Sequence, residues 1–169
     1  TLEIKHPYRR FGLQAAAYRL GVPLTGHPMF GHDIIYTHPA NSGAAVGRTA
    51  ERDFLTFAHG VAGLSKGVYL SVGSAVMSPM IFEKSLSMAR NLAQREHRDI
   101  EGFSIAVVDL ADAPWDWARD GEPPTDHPAY YLRFLKTFHR MGGTVDYLSL
   151  DNRAFFLRLV QALRRREAG

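Results

Sequence analysis

At 169 residues, with 46% apolar and 22% charged side chains, the chain has the length and composition of one globular domain rather than of a disordered segment. The absence of cysteine excludes a disulfide framework, thiolate metal sites and a cysteine nucleophile, and it fits a reducing cytoplasm. A formal net charge of only +3, with basic residues scattered among acids, argues against a nucleic-acid partner, and with no apolar run near the roughly 20 residues that span a bilayer no membrane partner is expected.

The chain starts at Thr1 with a polar stretch that has no apolar signal region. It reads as a single domain over residues 1–169, whole or as the C-terminal part of something longer. Residues up to Leu20 suit one short helix, which Gly21 breaks. Residues 22–24 read as a short strand entering a loop rich in glycine and histidine (25–32). Residues 33–37 fit either a strand or the first turn of a helix, because periodicity cannot decide over five positions. Residues 38–43 carry loop chemistry.

From Arg48 the pattern becomes regular. Phe54, Leu55, Phe57, Ala58, Val61 and Leu64 recur at helical spacing, and Gly67 ends that helix. Residues 68–72 read as a buried strand and 73–75 as a tight turn. Ser78 is the expected N-cap of the next helix, with Pro79 at its first position and an end near Glu96. Residues 103–110 form the clearest strand, apolar on both faces as in the centre of a parallel sheet. A proline-rich loop (111–125) follows, whose Trp115 and Trp117 either stack on a ligand or pack their own loop. Thr125 or Asp126 is the expected cap of a helix over 128–140, which Gly142 and Gly143 stop. Residues 145–150 read as a strand and 153–166 as a closing amphipathic helix. Its terminal arginines, Arg164 to Arg166, suit the negative end of a helix dipole.

Strand–helix alternation from Gly67 onward predicts an α/β fold, a mainly parallel sheet flanked by helices in a Rossmann-like three-layer sandwich. In such sheets ligands sit beyond the carboxyl ends of the strands, where helix amides face an anion. Gly73 and Ser74 occupy such a place, although neither GxGxxG nor a P-loop is present. Asp109 ends the central strand, where a carboxylate binds a ribose hydroxyl or an amine or merely bridges to an arginine. Asp151 and Asn152 end the last strand, where helix capping is the competing role. His27, His32 and His38 fall close together near Asp33 and Asn41, but their spacing matches no common ligand motif and no metal is expected. One of His32 and His38 is the better candidate for substrate contact. His59, His97 and His139 read as surface residues, and no Gly-x-Ser-x-Gly elbow occurs.

The run Asp33-Ile34-Ile35-Tyr36-Thr37-His38, then a helix, then Gly67-Val68-Tyr69-Leu70-Ser71-Val72-Gly73 is similar to the C-terminal half of deoxyhypusine synthase. The family's closing strand–helix unit likewise resembles residues 145–150 followed by Asp151-Asn152. Loosely, the resemblance covers residues 22–163. It implies a domain that binds NAD at the strand ends, at Gly73, Ser74, Asp109, Asp151 and Asn152, and that assembles as a homo-oligomer with shared active sites. It also implies a catalytic lysine that forms an imine with the aminobutyl group of spermidine. Lys136, in Leu132-Arg133-Phe134-Leu135-Lys136-Thr137, stands at about that place, without the tryptophan and glycine of the family's Trp-Gly-Lys motif. The catalytic candidates are therefore His38 and Lys136, with His32 and Asn41 as substrate contacts and a small-molecule ligand as the partner. Two other readings stay open. One is a sugar-phosphate-binding isomerase or transferase holding phosphate on Ser74, Ser78 and helix amides. The other is a non-catalytic assembly or metabolite-sensing domain, favoured by the lack of an obvious acid–base pair.

Overall fold

The β-branched and aromatic residues that follow Gly67, Phe103 and Gly143 all become strands, since side chains branched at Cβ suit the pleat better than a helix. A computed structural model describes residues 6–112 and 114–169, in two units, Thr1–His59 and Gly60–Gly169. In the second unit Val68–Val72 (β1), Ser104–Asp109 (β2) and Thr144–Ser149 (β3) form a parallel sheet in the order β1-β2-β3. Val68, Ser104 and Thr144 align at its amino edge, and Val72, Val108 and Leu148 near its carboxyl edge. The α/β layout expected from the sequence is therefore present, with three parallel strands.

That register places Tyr69, Ile105 and Val145 side by side on one face. Helices α3 (Met77–Arg95) and α5 (Arg133–Arg140) pack against each other and supply the rings that meet this face. Tyr69 stacks on Phe82 with centroids 4.3 Å apart and lies 5.9 Å from Phe138. Phe82, Leu86, Phe103, Ile105, Leu135 and Phe138 are fully buried, each contributing roughly 1.5–3 kcal/mol by leaving water. Helix α6 (Asn152–Glu167) packs against β2 and buries Phe155.

The amino edge is closed by two devices. Gly143 takes φ +94°, and a Cβ there would lie 2.6 Å from the Phe103 carbonyl oxygen, so only glycine lets the chain pass so near β2. Arg90 of α3 donates from Nη1 to the Met141 carbonyl at 2.8 Å and from Nη2 to the Ile100 carbonyl at 3.2 Å. One guanidinium thus ties the entries of β2 and β3 to α3.

Tyr69 gives this core a pH dependence. Its hydroxyl lies 2.9 Å from Ser78 Oγ, and burial pushes its pKa up, against a smaller opposing effect of that hydrogen bond. A phenol whose folded pKa lies above its unfolded value of about 10 contributes stability that is complete below pH 10. That stability is lost as the pH rises through the folded pKa. Urea titrations from pH 8 to 11 should therefore show stability falling at the alkaline end. Tyr69→Phe should flatten the slope while costing about 1 kcal/mol at neutral pH; an unchanged alkaline slope would show that Tyr69 is not its source.

Element boundaries depart from expectation where local chemistry competes. Helix α3 begins at Met77, so Ser78 is not its N-cap; instead Ser74 Oγ accepts a hydrogen bond from the Ser78 amide at 3.0 Å. Pro79 falls in the first turn, where no amide is needed. The helix expected over 128–140 is two pieces, a 3-10 turn Pro128–Tyr131 and then α5, because Leu132 at ψ 74° breaks the ladder. Its cap is His127, whose Nδ1 accepts from the Ala129 amide at 3.2 Å, rather than Thr125 or Asp126. Loop 111–125 holds a short helix, Trp117–Asp120 (α4), capped by Asp116.

In the first unit a 3-10 turn Arg9–Phe11 leads into α1 (Leu13–Leu20), which Gly21 ends at φ +65°. No strand forms at 22–24, where Pro23 lacks the amide a ladder needs. Ile34–Thr37 is a 3-10 turn. Helix α2 (Gly43–Ala62) starts earlier than the periodicity from Arg48 suggested. Among the described residues before Gly60, Ala58 alone is buried.

Candidate functional site

The carboxyl edge of the sheet gathers the polar residues that end each strand. Gly73, just after β1, donates its amide to the Val108 carbonyl at 2.9 Å and takes φ +63°. A Cβ there would collide with Nδ2 of Asn152. The side chain that opens α6 therefore lies directly over the turn that closes β1, a contact between residues far apart in sequence. Asp109 Oδ1 accepts the amides of Leu110 at 2.7 Å and Ala111 at 3.1 Å and so turns the chain at the end of β2. Its own carbonyl accepts the Leu150 amide at 3.0 Å, joining the ends of β2 and β3. Asp151 caps α6 through the amides of Arg153 at 3.0 Å and Ala154 at 3.3 Å. Those donors, the Ala154 amide foremost and then the Arg153 side chain, hold its carboxyl below the usual range.

Gly73, Ser74, Asp109, Asp151 and Asn152 thus share one edge, and three of them already have structural work. Ser74 and Asp151 accept helix amides, and one oxygen of Asp109 accepts loop amides. Oδ2 of Asp109 and the Asn152 amide are the groups that these bonds do not use. Sequence reasoning missed Tyr147. Its hydroxyl donates to the Ala111 carbonyl at 2.6 Å, and burial, then the negative charges of Asp109 and Asp112, raise its pKa. The one signal available was its place on the buried face of β3, two residues before the strand end. The edge is therefore acidic around Asp109 and Asp112 and donor-rich around Asn152 and the first turn of α3.

Lys136 lies on α5, its Nζ 3.6 Å from the centre of the Tyr130 ring, a contact suited to a charged ammonium. The Arg140–Glu122 ion pair, 2.7 Å long, is in the same neighbourhood, and Glu122 is held below its ordinary pKa by Arg140 first and by Lys136 to a lesser extent. Trp115 donates to the Gly121 carbonyl at 2.8 Å and stands 4.7 Å from His127, while Trp117 is buried beside His139. The loop is packed by its own aromatics.

The remaining candidates belong to the first unit. His38 Nδ1 accepts the Ala40 amide at 3.1 Å. His38 and Asn41 line an open, mainly apolar groove of about 690 Å³, with Ile34, Ile35, Ala45 and Val46 among its walls. His32 does not line it. His27 bonds Thr25 at 3.0 Å and meets Phe57 edge-on at 5.2 Å; burial lowers its pKa against the pull of Asp53. Among the described residues no three of His, Asp and Glu converge on a metal-sized space, and no helix is long and apolar enough to cross a membrane.

Fold and site together define an α/β protein with a polar cluster at the carboxyl edge of a parallel sheet. In comparisons with protein-family models, curated proteins and solved structures, the chain matches none.

Proposed function

We propose that the Gly60–Gly169 unit is a Rossmann-like domain that binds a nucleotide or dinucleotide at the carboxyl edge of its sheet. On this reading the chain is a cytoplasmic transferase of the deoxyhypusine-synthase-like kind that works as a homo-oligomer. The observation that carries the reading is the juxtaposition of Gly73, at a left-handed turn after β1, with the Asn152 amide and the start of α3. Glycine-to-helix turns of this type are where nucleotide phosphates rest.

The residues fit NAD in part. Asp109 Oδ2 is placed to accept a ribose hydroxyl, and Asn152 Nδ2 to donate to a phosphate oxygen. The space over Gly73 is filled by the Asn152 side chain, so a pyrophosphate reaches that backbone only once Asn152 rotates away. When bound, NAD supplies a hydride acceptor. Lys136 would exchange its amine for that of a substrate carbon already oxidised to the imine level, releasing the original amine as its own imine forms; in the first unit, His38, His32 and Asn41 are the candidate substrate contacts.

The filled space over Gly73 also favours a second reading, a compact sugar phosphate held by Ser74, Ser78 and the α3 amides. Thermal shift of the full chain separates the two. NAD at about 100 times its dissociation constant should stabilise the fold by roughly 2.7 kcal/mol, and Asn152→Ala or Asp109→Asn should remove most of that response. A shift with inorganic phosphate and sugar phosphates but not with adenosine compounds would replace the dinucleotide with the smaller ligand. No shift with any of them would leave the metabolite-sensing or assembly reading.

A further inference from the structure

Helix α6 is amphipathic in an unusual sense: one side faces β2, and a second apolar side faces water. Phe155 is buried, whereas Phe156, Leu157, Val160 and Leu163 are 51%, 61%, 44% and 53% exposed. Positions 156, 160 and 163 recur at helical spacing and lie along one line. The helix carries five arginines against one glutamate. Arg153 pairs with Asp151, and among the described residues Arg158, Arg164, Arg165 and Arg166 form no ion pair.

The same chain holds the opposite charge elsewhere. Residues 109–126 contain six acidic residues and a single basic one, Arg119. Asp120 and Glu122 are paired with Arg119 and Arg140, while Asp112 and Asp126 are exposed and in no ion pair among the described residues. Leu110, 73% exposed, and Tyr131 supply apolar surface at the two ends of this connector. The connector leaves the carboxyl edge of the sheet. Helix α6 starts at that edge and, being 16 residues long, runs about 24 Å back along β2. Among the described residues, none of its unpaired arginines forms an ion pair with a connector carboxylate of its own chain.

We infer that α6 of one copy docks its Phe156–Val160–Leu163 line and its arginines on the acidic 109–126 connector of a second copy. Pairing of α6 with α6 is disfavoured because it opposes arginine to arginine. The contact joins different surfaces of the two copies, so repetition closes a ring or extends a chain. It stands independently of the ligand reading above.

Sedimentation velocity of the full chain tests it. The wild type should sediment as an assembly at about 50 mM salt and dissociate at least tenfold more readily at about 500 mM. Val160→Glu with Leu163→Glu should give monomers. Reversing Arg164, Arg165 and Arg166 to glutamate should also give monomers, and so should Asp112→Lys with Asp126→Lys. Because each charge-reversed chain complements the other, mixing the two should restore assembly. The five charge-reversed positions, all on the surface, should leave circular dichroism unchanged. A wild type monomeric at every concentration would overturn the proposal. So would an assembly indifferent to both charge reversals, or two reversed chains that stay monomeric when mixed. An NAD response that persists in the monomeric Val160→Glu, Leu163→Glu variant keeps the two questions apart.

Discussion

Gly143→Ala should destabilise the Gly60–Gly169 unit by about 3 kcal/mol, the sum of two independent costs. An L-residue at φ +94° pays roughly 1–2 kcal/mol for the left-handed backbone. Overpacking adds roughly 1–3 kcal/mol, because the new Cβ would stand 2.6 Å from the Phe103 carbonyl oxygen and 2.7 Å from its ring. Neither neighbour can retreat. The carbonyl accepts the Thr144 amide at 3.2 Å, and the Phe103 ring is fully buried. Gly142 is the internal control. Its φ is +79°, but a Cβ there meets only Arg90 Nη2 at 3.5 Å, so Gly142→Ala should pay the conformational cost alone, about 1 kcal/mol. Urea midpoints of the two variants decide the matter. Equal losses would show that the Phe103 contact does not constrain the chain.

Phe82→Ala should cost about 4 kcal/mol. Phe82 is fully buried and is the ring on which Tyr69, Phe103 and Phe138 all converge, at 4.3, 6.1 and 5.9 Å. Truncation removes its own transfer energy and leaves a cavity that three other aromatic rings cannot collapse to fill. Against a typical stability of about 5–15 kcal/mol, such a loss brings the unit close to unfolding at physiological temperature. Phe82→Leu keeps most of the volume and should cost appreciably less. Near-ultraviolet circular dichroism and urea unfolding measure both, and a loss under 1 kcal/mol for Phe82→Ala would remove this ring from the centre of the core.

The strands were legible because each is a short run of β-branched or aromatic residues between glycines or polar turns, as in Val68–Val72 and Ser104–Asp109. Helix α6 was legible from its period and from Asp151 at its start. Residues 22–24 misled because a run this short carries no usable period, and for the same reason 33–37 stayed open between a strand and a helical turn until the 3-10 turn Ile34–Thr37 decided it. The split at Leu132 misled for a different reason: apolar spacing continues through it while the backbone does not. At the site, the sequence pointed to the strand-end residues through general knowledge of where such strands stop. It gave no hint that Asn152 covers Gly73, or that Tyr147 reaches the Ala111 carbonyl, because crossovers and strand register set those contacts. The loop histidines stood out by composition, yet His38 and Asn41 line a groove that His32 does not share.

The β1-β2-β3 order has a consequence for how the protein tolerates stress. With only β2 in the middle among the described strands, β1 and β3 each leave one row of amides and carbonyls unpaired within the sheet. The two rims are not equally guarded. Strand β3 carries Asp146, exposed at its centre, and a charge in that position resists the addition of a foreign strand. Strand β1 reads Val-Tyr-Leu-Ser-Val, with no charge, no proline, and with Val68 and Leu70 open to water. Heating or partial denaturation therefore endangers the molecule first along the β1 rim, where a neighbouring extended segment can zip on and seed aggregates while the β3 rim stays protected.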